Sequence, residues 1–416
     1  MAMLDRLDLH EGRLTGGIYV PRNVAAALAR LNVATLVPTT EQDCYDVSNV
    51  RKVGVVVLDG TVVRILPKTP VRRLFALLVY ARSPESLWRD DVVSFDSDDD
   101  LYSTVAHAFA VTARRALEGG VLRGYVAREE ASPVVRGKWR ITDQVTRRAG
   151  HSLPLEVTYD DYVTDIPENQ TIKAAALRLL RFPDLTPEVR SSLRRSLRLL
   201  DDVTPLPAGL APPTIAPSRV NSRYQGSLVL ADIILSNRSL EHRQGSVVGS
   251  GFLIDLWTVF EDFVGSALAR ALERRVGSAK AQLSTSLDHE HHVTIAPDLV
   301  WSIDSVFAAC VDIKYKVERN GKYPNSDLYQ LIAYATRFGL FTGHLVYAAG
   351  DAEPNRVDVV NGPVIYQHAL DLSVPFEDLL DQIDGVAVFI GDHVASIDTR
   401  GVRPEELTDT NSRTAP

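Results

Sequence analysis

Cysteine is nearly missing from this 416-residue chain, with Cys44 and Cys310 the whole supply. Two thiols cannot build a disulfide scaffold, a four-thiolate zinc site or a cysteine-held iron–sulfur cluster, so a fold stapled by such bonds is excluded. No apolar run is long enough to cross a bilayer as a helix, and no signal-like leader opens the sequence. The expectation is a soluble cytoplasmic protein with no membrane partner. Excess positive charge is missing too. Lysine and arginine number 45 against 53 aspartates and glutamates, a net charge of −8, so any contact with a polyanion must come from local patches. Neither a G-x-x-x-x-G-K-[ST] loop nor a G-x-S-x-G elbow occurs, which removes a P-loop motor and an α/β-hydrolase nucleophile. Gly245, Gly249 and Gly251 lack the lysine of a phosphate loop and read as linker.

What is present is concentrated in HHVTIAPDLVWSIDSVFAACVDIKYKV. It reads as a β-hairpin: an apolar run to Trp301, a polar turn at Ser302 to Ser305, and a second apolar run from Val306 to Val317. With the turn centred near Ser305, Asp298 lies opposite Asp312, and cross-strand neighbours of this kind have Cβ atoms roughly 5 Å apart. The two carboxylates could share one cation. Side chains alternate along a strand, so Asp312 and Lys314 share a face while Ile313 points to the core. Hydrolysis of a phosphodiester needs a nucleophilic water and a counter-charge for the transition state, and carboxylate oxygens are hard ligands suited to Mg²⁺. Lys314 could orient or deprotonate the water, or stabilise developing charge. A strand Asp and Lys two residues apart are usually an exposed pair. Here they sit in an apolar run, where charge is costly unless paired or metal-bound.

This arrangement resembles the PD-(D/E)XK nuclease superfamily. Upstream, GFLIDLWTVFEDFVGSALARAL carries apolar residues at helical spacing with Glu261 among them. The resemblance makes Glu261 an acidic contributor to the metal and the Ile313 main-chain carbonyl a further ligand, with Mg²⁺ or Mn²⁺ as cofactor. Downstream, SDLYQLIAYATRFG places Gln330 and Tyr334 on one helical face. It matches the Q-x-x-x-Y element of the RecB-like branch, where these residues contact DNA. The implied fold is an α+β N-terminal region followed by an α/β restriction-endonuclease-like domain.

Punctuation along the chain sets the expected organisation. Strands are expected at Arg13 to Val20 and Lys52 to Pro67, the latter turning at Asp59-Gly60. Helices are expected at Val71 to Ala81, Leu101 to Leu117, Pro167 to Arg181, Pro187 to Leu200 and Ser227 to Leu235. Six aspartates between Asp90 and Asp100 precede the second of these, where negative charge favours a helix N-terminus. LFTGHLVYAAG and DGVAVFIGDHV read as further strands. The proline-rich run 204–218 reads as a linker between an N-terminal domain (1–203) and a nuclease domain (219–400), with a disordered tail from 401. Basic clusters lie around Arg114 to Arg148 and on the helical stripe Arg190, Arg194, Arg195 and Arg198. Asp288-His289-Glu290-His291-His292 reads as a solvated loop, since adjacent residues on an extended chain point apart.

Several landmarks together resemble the McrC family, the nuclease subunit of McrBC modification-dependent restriction systems. They are Val53-Gly54, Leu66-Pro67-Lys68, LFALLVYA, Arg136-Gly137-Lys138, Asp165-Ile166-Pro167-Glu168-Asn169 before Lys173, Arg223-Tyr224, FLIDLWTVFEDFV, PDLV, DIKYK and DLYQLIAYA. Gln170 departs from the family pattern, where a basic residue is more usual. The resemblance implies a partner, an McrB-like AAA+ GTPase ring on which the N-terminal domain docks, with Arg136 and Lys138 as candidate interface residues. It further implies cleavage of double-stranded DNA carrying modified cytosine. Two other readings stand beside it: a non-catalytic activator of the motor, and a free-standing RecB-like exonuclease.

Overall fold

The structure is a computed structural model that describes residues 6–82, 101–148, 151–181, 185–207, 212–236, 249–317, 325–349 and 354–396. The six aspartates between Asp90 and Asp100, Gly245, and the tail from 401 lie outside those residues. The described residues form a mixed fold of helices and several sheets. One four-stranded sheet runs in the order Arg6–His10, Thr61–Leu66, Lys52–Leu58, Gly249–Asp255. Asp59 and Gly60, both at positive φ, make the expected turn between its two middle strands.

The chain folds as two compact units that interleave in sequence, one of residues 1–6, 54–63 and 89–253, the other of 7–53, 64–88 and 254–416. In the first, helices Leu101–Glu118, Pro167–Leu179, Pro187–Leu199 and Gln225–Ser236 pack together. The landmarks quoted from this half act as struts. Asn169 donates to the carbonyls of Leu122 and Thr164, Asp165 accepts from Gln170 and from Thr204, and Lys173 Nζ caps the carbonyls of Leu200, Asp201 and Val203 beyond a helix end. A three-stranded antiparallel sheet follows the order Gly124–Ser132, Leu155–Val163, Lys138–Trp139. Gly137 enters its short strand at φ +68°, where a Cβ would overlap the Thr158 carbonyl, so only glycine fits.

The second unit holds a six-stranded mixed sheet in the order Ser278–Ala281, Leu299–Ile303, Val306–Val317, Thr342–Ala349, Val364–Ala369, Asn355–Asp358. Val306–Val317 pairs in parallel with Thr342–Ala349, which pairs in parallel with Val364–Ala369. The parallel link between the first two needs a crossover, and helix Asn325–Arg337 lies on that connection. Thr342–Ala349 is buried at almost every position, as a strand covered on both faces should be. Helix Leu256–Glu273 packs on Val306–Val317 and on helices Val71–Arg82 and Phe376–Ser396, and it buries Val259, Phe260, Phe263, Val264, Ala267 and Leu268. Asp255 caps it, accepting from the Trp257 amide at 3.1 Å.

One expected strand is corrected. DGVAVFIGDHV lies in helix Phe376–Ser396, where Leu379, Ile383, Val386, Ala387, Ile390 and Val394 are buried. Their spacing of three and four residues is helical, and it becomes visible only when the window extends upstream of the β-branched run.

Candidate active site

The hairpin that carries the acidic pair folds as its sequence demands. Leu299 faces Val311, so the register continued by one residue sets Asp298 against Asp312. Asp304 and Ser305 turn the chain, both at positive φ as a two-residue I′-type hairpin requires. A register shift between Trp301 and Ser302 is absorbed on the turn side of the acidic pair. Asp298 Oδ2 accepts from the Ile313 amide at 2.7 Å, which fixes the Asp298 side chain across the strand. Ile313 thus enters the site through its N–H, and its side chain is fully buried.

Lys314 bridges the two acids, with Nζ 2.8 Å from Asp312 Oδ2 and 3.9 Å from Asp298 Oδ2. Asp312 is 1% exposed. Its Oδ2 has no aligned hydrogen-bond donor even though Lys314 is close, so the contact is an ion pair without hydrogen-bond geometry. Burial pushes the Asp312 carboxyl up to about 7, with Lys314 opposing and Asp298 adding to the rise. Burial opposes charge on Lys314 as well, but Asp312, Asp298 and Glu261 outweigh it and hold the ammonium above its ordinary pKa.

Glu261 projects from helix Leu256–Glu273 toward the same charges. Burial first, then Asp298, pushes its carboxyl up to about 7, Asp312 and Asp255 also raising it and Lys314 lowering it. The structure therefore brings Glu261, Asp298, Asp312 and Lys314 together. Asp262 belongs with them electrostatically: burial raises its pKa, Arg82 lowers it and Asp298 raises it. Sequence reading passes over Asp262 because its neighbour carries the motif match, although two adjacent acids on an apolar helix are themselves a signal.

Helix Asn325–Arg337 supplies the remaining pair. Gln330 is exposed and its Nε2 donates to Tyr334 Oη at 2.5 Å. The Tyr334 ring sits in the core at 5% exposure, packed with Leu331, Phe338, Leu345 and Tyr347. Burial raises the phenol's pKa, Gln330 lowers it, and the charges of Asp312, Lys314 and Asp298 also act on it. Next to Lys314 on the same strand, Tyr315 Oη donates to Glu11 Oε1 at 3.0 Å, a contact no local pattern announces.

The other candidates lie elsewhere. Arg136 stacks on Tyr159 at 3.7 Å and binds Glu130 and the Tyr159 hydroxyl, in the first unit, with Lys138 exposed nearby. The 288–292 cluster is a loop satisfied from within, Asp288 accepting from the amides of His292 and Val293 and His291 meeting Ser286. Among the described residues no three His, Cys, Asp or Glu side chains form a ready metal cage. No helix there is long and apolar enough to cross a membrane.

The model of the family described as "McrBC 5-methylcytosine restriction system component" matches residues 47–348. No curated protein matches the chain in sequence. Among solved structures, a chain of the refined half-complex from the tetradecameric assembly of Thermococcus gammatolerans McrB AAA+ hexamers with bound McrC superposes with a TM-score of 0.58 at 16% identity, over 92% of this chain and 100% of that one. A chain of the cryo-EM structure of the Thermococcus gammatolerans McrBC complex matches at 19% identity over 64% of this chain and 88% of that one, with a TM-score of 0.42. At these identities the first match establishes a shared fold, and the second is too distant to argue from.

Proposed function

This chain belongs to the McrBC 5-methylcytosine restriction system component family, and from that premise we propose that it is the McrC-like subunit, a Mg²⁺-dependent endonuclease. In this reading it docks on an McrB-like AAA+ GTPase in the cytoplasm, stimulates it, and cuts double-stranded DNA carrying modified cytosine. The observation that carries the nuclease assignment is Lys314 set between Asp312 and Asp298, 2.8 Å and 3.9 Å away, inside an apolar strand pair with Glu261 alongside. Three acids around one base leave uncompensated negative charge in a half-buried place, which a divalent cation relieves.

The residues present fit such a cation. Their donors are hard carboxylate oxygens, and one of them, Asp312 Oδ2, is buried with no aligned hydrogen-bond donor. Mg²⁺ is commonly held by one or two carboxylates, its own waters and substrate phosphate, so it needs no dedicated cage. Asp298, Asp312 and Glu261 would hold it, with the Ile313 carbonyl as main-chain donor and Mn²⁺ as a substitute. When bound, it supplies counter-charge to the phosphate and acidifies the attacking water.

The chain's own groups do the rest. Lys314, kept protonated by its carboxylates, is suited to orient water and neutralise phosphate charge rather than to remove a proton. Gln330, exposed at the edge of the site, meets DNA, and Tyr334 holds it there through its hydroxyl. Lys138 and Arg136 are assigned to the motor interface, Arg136 presenting the guanidinium that Glu130 and Tyr159 fix in place.

The test is plasmid cleavage by the chain with an McrB-like AAA+ protein, on methylated and unmethylated DNA with Mg²⁺ and GTP or ATP, comparing wild type with Asp312→Ala. Methylation-dependent cutting that the substitution abolishes supports the reading. If neither protein cuts while both accelerate nucleotide hydrolysis, the chain is an activator and the catalytic assignment fails.

A further inference from the structure

Glu11 is a buried carboxylate far from the acidic site in sequence, yet both of its oxygens are committed. It is 7% exposed, which is costly for a charge unless hydrogen bonds replace the lost water. Oε1 accepts from Tyr315 Oη at 3.0 Å and Oε2 accepts from the Lys68 amide at 3.0 Å. The Glu11 amide in turn donates to the Leu66 carbonyl at 2.9 Å, so the carboxylate is anchored from its own backbone. Gly12, at φ +62°, turns the chain directly after it, and a Cβ there would meet the Lys68 side chain.

What Glu11 holds is the residue next to Lys314. Tyr315 follows Lys314 directly and leaves Val306–Val317 toward helix Leu256–Glu273. Its ring packs on Phe260 with centroids 5.6 Å apart and planes tilted 54°. Phe260 is 1% exposed and immediately precedes Glu261 on the helix. Thus one ring pair joins the strand of Lys314 to the helix of Glu261, and Glu11 pins one ring of that pair.

We propose that Glu11 is a positioning residue for the nuclease site: through Tyr315 and Phe260 it fixes the spacing between the strand that carries Asp312 and Lys314 and the helix that carries Glu261. The proposal rests on the nuclease reading above. Its chemistry dictates the variants. Tyr315→Phe keeps the ring on Phe260 and removes the hydroxyl, which bonds Glu11 and also meets Thr69. Glu11→Gln keeps the shape, but an amide offers one acceptor oxygen to two donors and sets its own NH₂ against the other. Both substitutions break one device, so the double variant should be no worse than the worse single one.

Two measurements decide it. In the chain alone, hydrogen exchange of peptides from 306–317 should quicken about tenfold in each variant, with peptides from 167–179 unchanged, because the strand loses a support without global unfolding. In the complex with its AAA+ partner and Mg²⁺, each variant should lose about ten- to a hundredfold in kcat at unchanged KM for DNA, the scale of a misplaced reacting group. Stimulation of nucleotide hydrolysis should persist. Exchange that matches wild type, cleavage at the wild-type rate, or losses that multiply in the double variant would each overturn the proposal. Should Glu11→Gln fail to fold, Tyr315→Phe carries both measurements alone. A wild type that cuts no DNA removes the reaction and this proposal with it, and that result is recognised before any variant is made.

Discussion

Replacing Asp312 with Asn in metal-free protein should stabilise the chain near neutral pH and do so far less in acid. Burial, opposed by Lys314 and aided by Asp298, holds the Asp312 carboxyl at about 7, against roughly 3.9 for an unfolded aspartate. Between those values the folded state keeps a proton that the unfolded state has released. The stability this group contributes is therefore complete below about pH 4 and lost as pH rises through about 7. At about 1.4 kcal/mol per pH unit, the ceiling for the whole window is about 4 kcal/mol. The opposing pull of the ammonium at 2.8 Å is already contained in that value. Asn matches the shape of the neutral acid, so it should cost little at about pH 5 and be the more stable residue at about pH 8. Denaturant or thermal midpoints in chelator, for wild type and Asp312→Asn at both pH values, read the difference directly. Mg²⁺ at a hundredfold excess over its Kd should then raise the wild-type stability at about pH 8 by about 2.7 kcal/mol and leave the variant unmoved. An Asn variant destabilised equally at both pH values would refute the reasoning. It would mean that Asp312 is ionised and satisfied by Lys314 throughout.

Lys314→Met should cut single-turnover cleavage by about a hundred- to a thousandfold while partner stimulation persists, since it removes a charge from the transition state and not from the docking surface. Gln330→Ala should weaken DNA binding by about 1 kcal/mol, the value of one hydrogen bond, with no change in melting; filter or fluorescence binding checks it. The buried histidines titrate in the opposite sense from Asp312. Burial first, with His393 beside it, holds His368 at about 4, and burial and His368 hold His344 well below its ordinary range. The unfolded state then binds the extra protons, so this stability is complete above about pH 6.5 and lost as pH falls toward about 4. His368→Gln should flatten that acid loss in a melting series. Gly137→Ala should destabilise the first unit by about 1–3 kcal/mol, through a positive φ and overlap with the Thr158 carbonyl, seen as earlier proteolysis within 124–163.

Much of the acidic site can be read from the chain because it is local. A turn at Asp304-Ser305 is enough to set Asp298 against Asp312, and the observed pairing of Leu299 with Val311 agrees. The helices at Val71–Arg82, Leu101–Glu118 and Pro167–Leu179 begin where punctuation places them. The match to the McrBC family likewise bears out a resemblance resting on short motifs spread over the same stretch. What escapes is long-range. Glu11 and Tyr315 stand 304 residues apart, and no periodicity links them. Tyr334 carries a motif position, but its ring is core and its hydroxyl meets Gln330; a motif names a residue without saying which end of it is used. Part of Phe376–Ser396 reads as a strand because Val386, Val388 and Ile390 alternate locally, while the burial that decides the matter repeats at helical spacing over a longer span.

The feature that makes the site legible is also the feature that makes it costly. Asp312 interrupts a strand whose neighbours Ala309, Cys310, Val311 and Ile313 are fully buried, and a fold selected for stability alone would place another Val there. The 288–292 cluster looks richer in ligands, yet its side chains are largely exposed and its Asp288 is satisfied by its own loop amides, so it breaks no rule of folding. Burial separates the two. Charge that the fold could have left in water says little, whereas charge held against desolvation marks a candidate functional site. By the same argument Asp262, half-buried on the helix of Glu261 with its pKa raised, is the next position to test. Asp262→Asn should lower the activity of the complex while leaving nucleotide hydrolysis intact if it shares in the site. An Asn variant that merely melts later at about pH 8, with cleavage unchanged, would show its burial to be a local accident of packing beside Glu261.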